Sequence, residues 1–260
     1  MKNQRTRRVF SYREGVRIPG TDITCDARGF PSDLVFLSHA GALAPAGPGS
    51  LAGGRAGRRQ IVTTETTLRL LDEAGASLRA RALPAAFAQP FNLGPRRLEV
   101  VPSGLLPGAA ALLCETDTQR AFYLGAFCPE PLLEGMEPTL FRNAGAVCMS
   151  ATAAHPGWVF PARRQALERV RTFVEQGLRD GVRVVLFGYA FEALPAVLAD
   201  LARAGVVVRA HERIAAVCRR LRGVCESLPP VARFAGKLDP SQQGETGEDG
   251  RGNPPGEDEA

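Results

Sequence analysis

Short β-type apolar runs, separated by glycine and proline breaks, follow one another from about residue 9 to 150. This pattern is typical of β-strands bounded by turns. It predicts strands at residues 22–26, 34–38, 60–63, 97–102, 110–115 and 120–125. One helix interrupts the series, because a threonine-rich cap precedes apolar positions at helical spacing over residues 67–74, and Gly75 follows. The first half is therefore expected to be a layered α/β body dominated by sheet.

From residue 162 onward the pattern changes to long helical segments that alternate with short apolar runs. Residues 162–180 carry apolar side chains on one face of a predicted helix, namely Leu167, Val170, Phe173, Val174 and Leu178. Gly181 ends this helix, and the apolar run at residues 182–187 predicts a buried strand. A second helix is predicted at residues 190–204 and a further strand at 206–209. This alternation predicts a parallel βαβ lobe with right-handed crossovers.

The patterns of hydropathy and charge divide the chain into four parts. Residues 1–8 form a basic arm, 9–160 a sheet-rich domain, 161–232 the βαβ lobe, and 233–260 an acidic tail that is expected to be disordered. The whole chain has 260 residues and a net charge of +5. Residues 1–240 alone carry 31 basic and 21 acidic side chains, a net charge of +10. The folded part is thus more basic than the total suggests.

Arginine supplies most of this positive charge. A guanidinium group suits phosphate because it can donate two parallel hydrogen bonds. We therefore expect DNA or RNA as a partner, with contacts from Arg55, Arg58, Arg59, Arg163 and Arg164. A solvated basic surface without a ligand is the alternative.

Four aromatic side chains in the middle of the chain have two alternative roles. Phe141, Trp158, Phe160 and Tyr189 have rings that could stack on nucleic-acid bases. Packing in the hydrophobic core is the commoner role of such residues, and it is the one we expect.

The cysteines and the absence of long apolar runs bear on the compartment. Six cysteines are scattered without a Cys-x-x-Cys pair, which is typical of reduced, partly buried thiols rather than of disulfides or a zinc knuckle. The basic start is not followed by the apolar stretch of a signal peptide, and no run approaches the ~18 apolar residues of a membrane span. We expect a cytoplasmic protein with no membrane partner.

The chain has three histidines, and His39 occupies the most informative place. It follows the apolar run 34–38 and precedes a loop rich in glycine, alanine and proline. A histidine at the end of a strand is well placed to bind a metal ion. The alternative is an ordinary loop or core histidine.

Several ordered motifs carry a resemblance to a known family. They are residues 23–28 (Ile-Thr-Cys-Asp-Ala-Arg), 33–39 (Asp-Leu-Val-Phe-Leu-Ser-His), 121–127, 151–152, 155–156, 159–161 and 186–190. In this order they resemble the metallo-β-lactamase-fold (β-CASP-like) exonucleases of bacteria, which are related to the messenger-RNA 3′-end processing nuclease. The resemblance implies αββα layered sheets with a partial βαβ (β-CASP-like) lobe. It also implies a history of metal-dependent chemistry on DNA or RNA, with zinc in the intact relatives.

The same comparison shows which metal ligands are missing. The signature His-x-His-x-Asp-His of the family corresponds to His39, Gly41, Leu43 and Ala44, so three of its four ligands are absent. Other ligand positions hold Leu105, Ala126 and Ser150. Asp26 remains, at a position where relatives use an aspartate to orient a ligand. The last metal histidine of the family lies beyond the lobe, and neither His155 nor His211 replaces it, so the resemblance implies a C-terminally shortened member.

These losses predict a pseudoenzyme. Two zinc ions need roughly six or seven nitrogen and oxygen ligands, and a single histidine cannot hold even one zinc ion tightly. We therefore expect no cofactor, and a nucleic-acid-associated, scaffold or regulatory role in DNA repair or RNA processing. A protein partner, such as an active paralogue, is a further expectation. The alternative is residual metal-dependent hydrolase activity through ligands that the motifs do not reveal.

Overall fold

Two β-sheets face each other in the first half of the protein. The computed structural model describes residues 9–12, 15–27, 32–43, 60–71, 78–226 and 228–234. The first sheet has the strand order β1 to β6, with β1 and β2 antiparallel to their neighbours and β3 to β6 parallel. Its strands are β1 (Ser11–Tyr12), β2 (Val16–Ile18), β3 (Ile23–Cys25), β4 (Leu34–Phe36), β5 (Gln60–Thr63) and β6 (Ala82–Pro84).

The second sheet has the strand order β11-β10-β9-β8-β7. Its strands are β7 (Phe91–Leu93), β8 (Arg96–Pro102), β9 (Ala110–Thr116), β10 (Gln119–Gly125) and β11 (Ala146–Met149). All neighbouring pairs are antiparallel except β10 and β11, which are parallel. The six strands predicted from the short apolar runs of the first half are thus confirmed, each to within two residues at either end.

The main core lies between the two sheets. Ile23 and Phe36 of the first sheet pack with Leu98, Leu112 and Ala121 of the second, and all five are inaccessible to solvent. The next residues along the second sheet face away from this core, as the two-residue period requires. Among them, Val101, Ala111, Leu113 and Phe122 form a separate cluster that Phe127 and Ala144 from the segment after β10 help to close.

One helix packs on the outer face of the first sheet. Helix α1 (Glu65–Leu70) begins after Thr64, whose hydroxyl accepts a hydrogen bond from the Thr67 amide at 3.1 Å. This side chain satisfies an amide that would otherwise lack a partner at the helix start. Leu68 then packs against apolar side chains of β4 and β5. The threonine-rich cap predicted from sequence is confirmed, and residues 72–77 lie outside the described residues.

The second half contains the other helices and a small sheet. Helices α2 (Arg163–Arg179) and α3 (Leu194–Arg203) confirm the two predicted helical segments, and a further helix, α4, spans Glu212–Arg222. Strands β12 (Arg209–Ala210) and β13 (Ala232–Arg233) are parallel and are connected through α4, so one βαβ unit is present. Apolar side chains of α3 and α4 share a cluster with Leu70, Leu106 and Leu133.

The predicted buried strand at residues 182–187 is wrong. No strand forms there, and Val182, Val185 and Phe187 are 58%, 44% and 84% exposed. A strand needs a neighbouring strand to pair its amides and carbonyls, and no other strand in the described part of the chain supplies one. Helix α2 is likewise only partly covered, because Phe173 and Leu178 on its predicted apolar face are exposed.

The molecule is therefore a mixed α/β protein with several sheets and, among the described residues, four α-helices. The metallo-β-lactamase arrangement, the β-CASP-like lobe and the domain boundaries stay predictions. The basic arm and residues 235–260 of the tail lie outside the described residues. Within the described residues, none of the helices has the length and apolar character needed to cross a membrane.

Candidate functional site around Asp26 and His39

Asp26 and His39, which the resemblance singled out, lie at one edge of the first sheet. Asp26 directly follows β3, and Ser38 and His39 come shortly after β4. Because β3 and β4 are parallel neighbours, their carboxyl ends lie side by side. Tyr123 reaches the same place from β10 of the opposite sheet. The fold therefore brings together residues that are separated by up to 97 positions in sequence.

Both carboxylate oxygens of Asp26 accept hydrogen bonds. Oδ1 accepts from the Ser38 amide at 2.8 Å, and Oδ2 accepts from the Ser38 hydroxyl at 2.6 Å and from the Tyr123 hydroxyl at 2.8 Å. Burial, followed by the charge of Asp26, raises the pKa of Tyr123 far above its ordinary value, so the phenol remains a donor. The Asp26 carboxylate thus accepts three hydrogen bonds from groups of the protein itself.

The backbone of Asp26 is held in an uncommon conformation. Its φ angle is +50°, in the left-handed region that residues with a side chain rarely adopt. Its amide donates to the Phe36 carbonyl at 2.8 Å, and the three bonds to its carboxylate fix the side chain. Such strain persists only where surrounding contacts over-determine the conformation. Asp26 is therefore part of the structural framework that joins the two sheets.

His39 is joined to the same network through Ser38. The Ser38 hydroxyl lies 2.8 Å from Nδ1 of His39. Since this hydroxyl has one hydrogen and donates it to the acceptor-only carboxylate of Asp26, it must accept from Nδ1–H of the imidazole. The lone pair of the neutral ring then lies on Nε2. Burial lowers the pKa of His39, while Asp26 and Glu192 act in the opposite direction.

Gly41 lies beside the Nε2 edge of the His39 ring. A Cβ atom at position 41 would lie 3.0 Å from both Nε2 and Cδ2 of His39, and 2.8 Å from Cβ of Phe191. The contact with Phe191 is shorter than real Cβ atoms make, and the contacts with His39 are tight, so a side chain at position 41 would require one of these neighbours to move.

The other positions that the resemblance aligns with metal ligands hold glycine, leucine, alanine and serine. Gly41 and Leu43 lie in a single 3₁₀ turn, Ala40–Leu43, and Ala44 lies outside the described residues. Leu105 packs in the apolar cluster formed by α3 and α4. Ala126 follows β10 as a half-buried methyl group, and Ser150 lines a cleft with Tyr123 and Cys148.

Zinc, which the resemblance implies for intact relatives, does not fit these residues. His39 could offer one lone pair, and Gly41 beside it has no side chain that could add a second ligand. Asp26 is already bonded to three protein donors. No group of three or more histidine, cysteine or carboxylate side chains in the described residues is arranged to hold a metal ion. A tetrahedral zinc site needs at least three protein ligands.

The remaining histidines have local roles. Nδ1 of His155 accepts from the Gly157 amide at 3.1 Å, and its ring packs beside Trp158. His211 precedes α4 and accepts from the Arg213 amide at 3.3 Å. Both side chains are exposed and neither belongs to the Asp26 network.

Two of the five arginines predicted to bind phosphate, Arg163 and Arg164, belong to the described residues. Arg55, Arg58 and Arg59 lie outside the described residues. Arg163 donates to the carbonyls of Glu130 and Pro131 and to Sγ of Cys128, so it anchors the start of α2. Arg164, next to it, is exposed. A nucleic-acid role for these five arginines stays a prediction.

The expectation that four central aromatic residues lie in the core is wrong. Phe141 and Trp158 are each 57% exposed, Phe160 is 65% exposed and Tyr189 is 74% exposed. Apolar character alone could not separate a core position from a surface position here. Tyr123 is buried, and its place in an apolar run gave no sign that its hydroxyl donates a hydrogen bond to Asp26. Ser38 was easier to recognise, because it is a polar residue at the end of an apolar run and directly precedes His39.

Comparison with known proteins gives one informative similarity. No family model matches the chain. A probable DNA ligase from Opitutus terrae (strain DSM 11246 / JCM 15787 / PB90-1) is 29% identical over 136 residues. The match covers 51% of this chain and 13% of the ligase. The chain thus corresponds to a small part of that much longer relative.

Proposed function

We propose that this protein is a catalytically degenerate relative of metal-dependent DNA or RNA exonucleases. In this proposal it is a nucleic-acid-associated protein with a scaffold or regulatory role in DNA repair or RNA processing. The observation that carries the proposal is the lack of further ligands around His39. Nδ1 bonds to Ser38, Nε2 lies beside Gly41, which has no side chain to offer, and no group of three or more histidine, cysteine or carboxylate side chains in the described residues could hold a metal ion.

The replacements around His39 support loss of chemistry rather than a change of metal. Leu105 lies in an apolar cluster, and Ala126 offers only a methyl group. Unpaired charged groups are costly to bury, so a site that no longer binds metal is stabilised when small or apolar residues replace its ligands. The network of Asp26, Ser38, Tyr123 and His39 then serves packing between the sheets.

The association with nucleic acid is supported by similarity and by charge. The relative described above is a probable DNA ligase. Residues 9–160 carry equal numbers of basic and acidic side chains, thirteen of each. Residues 161–226 carry twelve arginines against seven acidic side chains, a net charge of +5. Clustered arginine is the usual electrostatic basis of phosphate binding.

Metal analysis and a nuclease assay on one preparation test the loss of catalysis. Protein purified from metal-supplemented cells should contain well under about one equivalent of zinc, manganese or iron, because such sites depend on a full ligand set. It should not degrade labelled single- or double-stranded DNA or RNA. Hydrolysis that chelation abolishes, and that His39→Ala removes while His155→Ala does not, would establish the residual hydrolase instead.

Binding measured by fluorescence anisotropy tests the association. The full chain should bind labelled DNA or RNA at low ionic strength, and affinity should fall steeply as salt rises, because phosphate contacts release counterions. Failure to bind either nucleic acid at about 50 mM salt would refute this part of the proposal, since nonspecific phosphate binding is strongest there.

A further inference from the structure

Three aromatic rings form an exposed cluster before α2. The ring centroids of His155 and Trp158 are 5.5 Å apart, and those of Trp158 and Phe160 are 6.3 Å apart in an edge-to-face arrangement. We call these three residues the aromatic cluster. Over half of the Trp158 and Phe160 surface is open to solvent, and Val159 between them is almost fully exposed. Exposure of such large apolar groups side by side is costly unless a ligand uses them.

An exposed arginine follows this cluster closely in sequence. Arg164 is four residues beyond Phe160, so their Cα atoms are at most about 14 Å apart. Arg164, Arg169 and Arg183 make no ion pair within the described residues. The neighbouring Arg163 is instead held by two carbonyls and Cys128, which fixes the start of α2 against residues 128–131.

Accessible rings followed within four residues by an exposed guanidinium group match the chemistry of a single strand of nucleic acid. Bases of a single strand expose their faces and can stack on aromatic side chains, while arginines contact the phosphates. Base faces in a duplex are covered by neighbouring base pairs and are not accessible in this way. An apolar protein partner could use the rings, but it would leave Arg164 without counter-charge.

We propose that the aromatic cluster and Arg164 form a binding surface for single-stranded nucleic acid. The inference rests on the proposed association with nucleic acid and assigns it a location and a preferred form. Trp158 and Phe160 stack on unpaired bases, and Arg164 contacts a phosphate of the same strand. The surface lies outside the closed site at Asp26 and His39, so binding does not require any residue of the former metal motif.

The only tryptophan of the chain gives a direct readout, because Trp158 is itself in the cluster. Titration of the full chain with single-stranded DNA and single-stranded RNA of one mixed sequence should quench its fluorescence. The same DNA annealed to its complement should bind more weakly and cause little quenching. Comparing the two single strands shows whether the sugar matters, since the stacking chemistry is common to both.

Two pairs of variants separate the cluster from general charge, using labelled oligonucleotides and anisotropy. Trp158→Ala should weaken single-strand binding by about ten-fold, which is typical of one lost stacking contact. Tyr12→Ala removes an exposed ring from β1 and should change affinity less than about two-fold. Arg164→Ala should weaken binding and reduce the salt slope by about 0.7, whereas Arg179→Ala, about 22 Å away along α2, should do neither.

The outcomes distinguish this inference from the proposed function. Binding that prefers duplex, leaves Trp158 unquenched or survives Trp158→Ala would overturn the inference and leave a nucleic-acid role elsewhere on the surface. Absence of binding to every oligonucleotide would overturn both. Self-association in sedimentation that Trp158→Ala abolishes, together with no quenching by a single strand, would identify the cluster as a protein interface and refute the inference.

Discussion

Tyr123 and Asp26 connect the two sheets through one hydrogen bond of 2.8 Å between the phenol and a carboxylate. Tyr123 belongs to β10 and Asp26 follows β3, so the bond crosses the main core. Phe36 packs edge-to-face on the Tyr123 ring, with centroids 6.2 Å apart. The pair thus combines a polar contact with a buried aromatic one.

Removal of the Tyr123 hydroxyl should destabilise the protein. Tyr123→Phe keeps the ring but takes one donor from the Asp26 carboxylate. Hydrogen bonds to charged groups contribute roughly 1.5–3 kcal/mol, and we expect a loss in that range in the free energy of unfolding measured with urea. Tyr12→Phe, which alters an exposed ring, should change it by less than about 0.5 kcal/mol. An unchanged midpoint for Tyr123→Phe would show that the bond is not structural.

A side chain at position 41 should be poorly tolerated. Gly41→Ala would place a methyl group 2.8 Å from Cβ of Phe191 and against the His39 ring. Overpacking of this kind costs about 1–3 kcal/mol, which chemical denaturation would detect. Gly145→Ala is the matched control, because the closest atom to its Cβ is a carbonyl oxygen at 3.5 Å. Equal stability of both variants would mean that the pocket around His39 is open.

Stability should decrease at mildly acidic pH because of His39. Burial lowers the pKa of its imidazole below the ordinary value of 6.5, so the unfolded chain binds the proton more readily than the folded one. The contribution of the neutral ring is therefore complete above about pH 6.5 and is lost as pH falls below that value toward the folded-state pKa.

Denaturation curves between pH 5 and 8 test this effect. His39→Gln removes the titrating group and should flatten the pH profile over that window relative to the unaltered chain. His155→Gln, which alters an exposed side chain, should retain the original profile. A profile for His39→Gln that parallels the unaltered chain would assign the pH dependence to other groups.

The core cysteines should react slowly in the folded state. Burial raises the pKa of the Cys25 thiol, and it raises the pKa of Cys114 to about 11. Because the thiolate is the reactive form, only about one Cys114 thiol in a thousand is ionised at pH 8. Maleimide labelling followed by peptide mass analysis should mark both cysteines only after urea is added. Rapid labelling without urea would show that the space between the sheets opens readily.

Local periodicity was sufficient for much of the first half. Apolar runs bounded by turn residues located the strands β3 to β5 and β8 to β10, because the side chains of these strands pack in the main core on one face and in a second cluster on the other. The threonine cap of α1 was equally local, since Thr64 bonds to an amide only three residues away. Neither signal could give the order of the strands, because pairing depends on residues far apart in the chain.

The candidate site was only partly accessible to sequence reasoning. Asp26 and His39 stood out by their place after apolar runs, and Ser38 preceded the histidine. Tyr123 could not be found in this way, because its partner is 97 residues distant and its neighbours are apolar. The lack of space for a side chain at Gly41 also depends on Phe191, which only folding brings close to it.

The sequence by itself determined where six strands of the two sheets and the helices α1 to α3 lie. Tertiary structure alone decided that Asp26 bonds to Tyr123 and that Trp158 and Phe160 remain exposed. It also decided that residues 182–187 form no strand. The physical reason is that the hydropathy of a side chain measures only how strongly it favours burial. Burial itself requires a packing partner, and that partner is often supplied by a distant part of the chain.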